Sequence, residues 1–139
     1  MTERQSRTYR LCLSPEGTDL FLVCHGRLAR LVNNLNSYGT TLFVAILIAE
    51  ASDPSEIVAE LELPRLRRLI GQKEHFVGAS ARLGRIAGTI AERVGRSDSL
   101  SDKPKLNVLY AACIALMAVS EDKALKAAYG RINNLVADK

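Results

Sequence analysis

The chain has 139 residues, a net charge of +4, 47% hydrophobic residues and 24% charged residues. That mix fits one globular domain and excludes a mainly disordered polymer. No apolar run reaches the ~18–20 residues that span a bilayer, and none follows the arginines of the opening MTERQSRTYR, so neither an integral membrane protein nor a secretory leader is expected. Three widely spaced cysteines, Cys12, Cys24 and Cys113, suit a reducing cytoplasm better than a disulfide framework.

Residues 1–17 read as an arm. Thr8 to Leu13 alternates weakly, as a short strand does, and Ser14-Pro15-Glu16-Gly17 reads as a turn. With no obvious mate, such a strand is expected as extended chain packed on the domain or on a partner. From Thr18 the period changes: Leu20, Cys24, Leu28, Leu31 and Leu35 form the apolar stripe of a helix. After a polar break at residues 33–39, the run Thr41–Ala49 is apolar on every side and predicts a buried core helix.

Asp53-Pro54-Ser55-Glu56 is a helix start, with a cap, a first-turn proline and a glutamate three residues on. That helix turns Ile57, Val58 and Leu61 inward and stops before Pro64. A long helical pattern then runs to about Gly95, weakest at Gly71 and Gly78, and residues 97–102 read as a loop. Beyond Pro104, Leu106–Val119 predicts a strongly apolar helix. Ser120 is expected to cap a last helix that buries Leu125, Ala128, Ile132 and Leu135. The expected fold class is therefore all-α: a single compact helical bundle of about five or six helices over 18–139, behind a short extended N-terminal arm.

Charge is uneven along this plan. Residues 50–62 carry five acids and no base, whereas residues 63–96 carry eight bases and two acids. At ~100° per residue on one continuous helix, Arg67, Arg68, His75, Arg82, Arg85, Arg93 and Arg96 share an arc of roughly 100°. Leu69, Phe76, Leu83, Ile90 and Val94 fall on a core-facing side, and Ala81, Gly84, Gly88, Ala91 and Gly95 form a stripe of small residues that would admit another helix. A row of guanidiniums matches a row of phosphates, because each offers paired planar donors and stays charged. Contact through Arg67, Arg68, Arg82, Arg85, Arg93 and Arg96 would depend on salt and read little sequence. With Phe76 turned inward, base stacking is not expected. Two other readings compete: pairing with the upstream acidic block inside the monomer, and pairing with an acidic protein.

Enzyme chemistry finds little support. Cys24-His25, Cys12 and His75 lack the close ligand pairs of a structural zinc site, and core cysteines are the expected reading. No nucleophile motif, P-loop or E-x-x-H pattern occurs. No metal or cofactor is expected, and an amphipathic membrane helix would favour the tryptophan that this chain lacks. In plan alone (small, helical, basic, without catalytic residues) the chain is similar to the small helical subunits of RNA-guided CRISPR effector complexes, which line a nucleic-acid path beside larger proteins. That resemblance implies a non-enzymatic cytoplasmic subunit of a ribonucleoprotein, contacting RNA more readily than DNA. The alternative is a helical scaffold that associates with copies of itself through glycine–alanine packing and acidic-to-basic contacts.

Overall fold

A computed structural model describes residues 6–95 and 104–137, with side chains described as far as residue 134. Its described residues form seven helices and a two-stranded antiparallel sheet. The compact, mostly helical class is as expected; the sheet is not.

Strand β1 (Ser6–Leu13) pairs with β2 (Lys73–Ser80) in a register that sets Tyr9 opposite Val77 and Arg10 opposite Phe76. The N-terminal strand thus has a mate, in the middle of what reads as helix. Lys73–Ser80 alternates: Val77 is buried and His75 and Ala79 half-buried on one face, while Glu74, Phe76 and Gly78 are exposed on the other. Period 2 over eight residues is hard to separate from a helical period when the inward positions are mostly small or polar. The far edge of β1 is closed at Cys12 by the side chain of Asn107. Its Oδ1 accepts from the Cys12 N–H at 2.8 Å and its Nδ2 donates to the Cys12 carbonyl at 3.4 Å, so an amide side chain continues the strand pairing.

Helix α1 (Pro15–Val32) starts three residues earlier than its apolar stripe suggests. Ser14 is its N-cap, accepting at Oγ from the Gly17 N–H at 3.0 Å, and Pro15 occupies the first turn. Ser-Pro-Glu is a start signal of the same kind as Asp-Pro-Ser-Glu, and here it takes the place of a turn. The helix ends at Asn33, whose φ of 54° is left-handed. Leu35 therefore falls beyond the helix and is 99% exposed rather than part of the stripe.

Helix α2 (Tyr38–Ala51) is capped by Ser37 and buries the whole run Thr41–Ala49, as its unbroken apolarity requires. It packs against β2 and is surrounded by α5 (Ala81–Gly95), α6 (Leu106–Val119) and α7 (Asp122–Ala137). Helix α3 (Pro54–Glu62) begins at the expected cap, Asp53, whose Oδ1 accepts from the Ser55 N–H at 2.9 Å. Those bonds, first the Ser55 N–H and then its hydroxyl, with a smaller contribution from Arg93, hold the Asp53 carboxyl below its usual range.

Helix α4 (Pro64–Leu69) is only six residues long, and its Leu66 and Leu69 pack on Ala111, Ala112 and Ala115 of α6. Helix α6 has the expected bounds. Ser120 closes α6, donating from Oγ to the Leu116 carbonyl at 2.8 Å. It does not open α7; the Glu121 carbonyl accepts from Ala124 and Leu125 there instead. Leu125, Ala128 and Ile132 are buried as expected. The loop reading at residues 97–102 and the Leu135 side chain lie outside the described residues.

Two cysteines belong to the core. Burial pushes the Cys24 thiol up to about 11, offset in part by Arg27, and the Cys113 thiol up to about 12. At pH 8 both stay protonated, and the thiolate is the reactive form. In the folded protein a thiol alkylating agent is expected to modify at most one cysteine, the half-buried Cys12, and all three after denaturation. Rapid native labelling of Cys113 would contradict this burial. Because both folded values lie above 9.0, the unfolded chain loses these protons first, and stability should fall as pH rises beyond about 9.

Candidate nucleic-acid interface

The arginines expected in one row are divided by the sheet. Arg67 and Arg68 sit on α4, His75 on β2, and Arg82, Arg85 and Arg93 on α5. The continuous helix from the sixties to the mid-nineties is therefore replaced by helix, strand and helix. Arg96 lies outside the described residues. The physical reason is β1: pairing with a strand separated by some sixty residues of chain satisfies the backbone of 73–80 better than a helix with Gly71 and Gly78 as weak points.

Each arginine then has its own surroundings. Arg93 is half-buried and donates from Nη1 to the Glu50 carbonyl at 3.4 Å, placing a cation at the C-terminal end of α2. Arg68 reaches Glu16 at 3.8 Å with both side chains more than half exposed, a contact worth about 0–1 kcal/mol. Arg82 is half-buried at the start of α5, its N–H donating to Ser80 Oγ at 3.1 Å. Arg67 and Arg85 are exposed, and among the described residues no carboxylate forms an ion pair with either.

The acidic block does fold back on cations, although chiefly on others. Glu60 is 5% exposed and grips Arg65 with two bonds of 2.9 and 3.0 Å. Glu50 holds Arg131 at 2.5 Å. Pairing inside the monomer is thus real for Arg65 and Arg131, and Arg93 is held by a backbone carbonyl.

Helix α5 keeps its expected core face at Leu83, Ile90 and Val94, but Phe76 leaves it. Phe76 lies on the outer face of the sheet and is 64% exposed, directly opposite Arg10. The Arg10 guanidinium is held by Glu74 at 3.1 Å on that same face. Neither Phe76 nor Arg10 is placed in an interface by helical periodicity; the period-2 alternation of 73–80 matched against 6–13 is the signal that finds them. The small-residue stripe also divides. Gly84 donates its N–H to Tyr9 Oη at 3.0 Å, whereas a methyl group at Gly88 would meet nothing within 4 Å.

His75 sits on a separate apolar groove of about 220 Å³, lined also by Leu11, Phe21, Leu22, Tyr38 and Val77, and His25 packs against Phe21 and Tyr38 of that lining. His75 Nε2 lies 3.1 Å from Thr18 Oγ1, and His25 Nδ1 lies 2.7 Å from Thr41 Oγ1. His75 is thus oriented by a neighbouring hydroxyl on the inner face of the sheet, away from any arginine row. Among the described residues no group of three or more His, Cys, Asp or Glu side chains could hold a metal ion, and no helix is long and apolar enough to cross a membrane.

No family model, curated protein or solved structure matches this chain. Its own residues are what bear on function. Among the described residues they offer exposed arginines without ion-pair partners at Arg67 and Arg85, as also at Arg7 and Arg30, a further one, Arg68, held by one weak contact, and an aromatic–arginine pair on an open sheet face.

Proposed function

We propose that this chain is a non-enzymatic protein that holds the sugar–phosphate backbone of a nucleic acid, chiefly through Arg67 and Arg68 of α4 and Arg85 of α5, with Arg82 one turn before Arg85. RNA within a ribonucleoprotein complex is the expected setting, on the plan-level resemblance to small CRISPR effector subunits. The observation that carries the reading is the division of labour among the cations. Glu60 and Glu50 of the acidic block are engaged by Arg65 and Arg131, and Arg93 is held by the Glu50 carbonyl, while Arg67 and Arg85 face solvent with no ion-pair partner among the described residues, as do Arg7 on β1 and Arg30 on α1. Phosphate oxygens accept paired guanidinium bonds at little desolvation cost from such positions. Arg93 serves the fold rather than the ligand.

A salt titration tests this. Binding of a labelled 20-nucleotide RNA should weaken linearly on a log–log plot as salt rises, and the double substitution Arg67→Ala and Arg85→Ala should reduce that slope by about 1.4–1.8. Affinity should fall about tenfold or more at low salt, with the melting temperature nearly unchanged because both sites are exposed. An affinity and slope indifferent to both substitutions would refute the assignment, as would failure of the parent protein to bind RNA or DNA.

A further inference from the structure

We infer that the outer face of the β1–β2 sheet is a stacking platform for an unpaired base, so that the nucleic acid held by this protein is single-stranded at that point. The inference rests on the backbone-binding reading and adds the class of strand. Three observations meet on this face. Phe76 is 64% exposed near the middle of β2, an aromatic ring the core does not use. Arg10 stands directly opposite it in the register, which brings the two Cβ atoms to about 4.5–5.5 Å. Glu74, on the same face as Phe76, holds the Arg10 guanidinium at 3.1 Å, restraining the cation beside the ring.

The rest of the face is low and polar. Thr8 and Gly78 are exposed and Ser80 half-buried, and none is bulky enough to shield the ring. Sheets that present an aromatic ring between small neighbours, with arginine at the side, stack bases because every base has a π-face. A duplex keeps its bases paired inside and offers this ring nothing but backbone. On this face Arg10 and Glu74 pair with each other, while Arg7 and Lys73 belong by register to the opposite face, so what the platform offers a strand is a π-surface and not a row of unpaired charge. An acidic protein would find the one cation of this face already held by Glu74 and would leave the exposed ring unexplained.

The test compares the full chain on a labelled single-stranded 12-mer and on the same sequence as a duplex, at one salt concentration. Phe76→Ala should weaken single-strand binding roughly tenfold or more and leave duplex binding within about twofold. Phe76→Trp should retain affinity, and since the protein has no tryptophan, the indole emission of that variant reports on this position alone and should be quenched by the single strand. Equal affinity of Phe76→Ala and parent for the single strand would overturn the platform, as would indole emission left unquenched at saturation in the Phe76→Trp variant. If strands bind and respond to Arg67 and Arg85 but not to Phe76, the platform falls while the backbone reading stands. If no strand binds the parent protein, both fall.

Discussion

Gly39→Ala is expected to destabilise the protein by about 3 kcal/mol or more, although alanine is the better helix former by about 1 kcal/mol. A Cβ at Gly39 would lie 1.8 Å from the Gly78 carbonyl oxygen and 2.8 Å from its carbon. Both are backbone atoms of β2, so no rotamer change relieves the clash; α2 must move off the strand or the strand off α2. Overpacking that shifts backbone is among the few mechanisms that give losses of this size. Urea denaturation followed by circular dichroism reads the effect as a lower midpoint. Gly88→Ala is the control: it adds the same methyl within a helix but meets nothing within 4 Å, so it should stabilise by about 0.5–1 kcal/mol. Two substitutions of opposite sign would establish that α2 seats on β2. A Gly39→Ala protein as stable as its parent would show that this contact is not made. The contact bears on function because Gly78 is two residues from Phe76, and moving the strand would move the ring.

The second large effect concerns Arg65. Arg65→Ala removes the guanidinium from Glu60, a carboxylate that is 5% exposed, and should cost about 2 kcal/mol. That is less than the ~3–5 kcal/mol of a fully buried broken pair, because the Arg65 side chain is 39% exposed and water can approach from its side. Adding Glu60→Leu should restore most of the loss, since the unpaired charge and not the missing pair is what destabilises. Nucleic-acid affinity should be unaffected by Arg65→Ala under conditions where the protein remains folded. Arg67, two residues on, should give the reverse pattern, with affinity lost and stability kept. Neighbouring arginines of one short helix would then be separated by function. A large loss of RNA affinity on removing Arg65 would mean that the acidic block does not hold it as described.

Much of the helical frame was legible residue by residue. Asp53 and the apolar runs at 41–49 and 106–119 place three helices close to their observed positions, because caps and burial patterns act within a turn or two of chain, whereas Ser37, which reads as part of a polar break, is the N-cap of α2. The candidate site was less legible. Placing Arg67, Arg68, Arg82, Arg85 and Arg93 on one arc assumes a single axis, and a strand between them removes that axis. Phe76 reads as a core residue for the same reason: on a helix it shares a face with Leu69 and Leu83, and on a strand it points away from Val77.

What the chain determined by itself was its mostly helical character, its central apolar helices and the contrast between an acidic block and a basic one. Each follows from residue chemistry and from periodicities completed over a few residues. Only the tertiary structure decided that residues 73–80 are a strand, which arginines are held by carboxylates, and that an aromatic ring stands outside beside Arg10. Most of those outcomes depend on partners distant in the chain, Ser6–Leu13 for β2, Glu74 for Arg10 and Glu50 for Arg131, whereas Arg65 and Glu60 are only 5 residues apart. Where a segment's local preference is weak, the backbone adopts the conformation that a distant partner can hydrogen-bond.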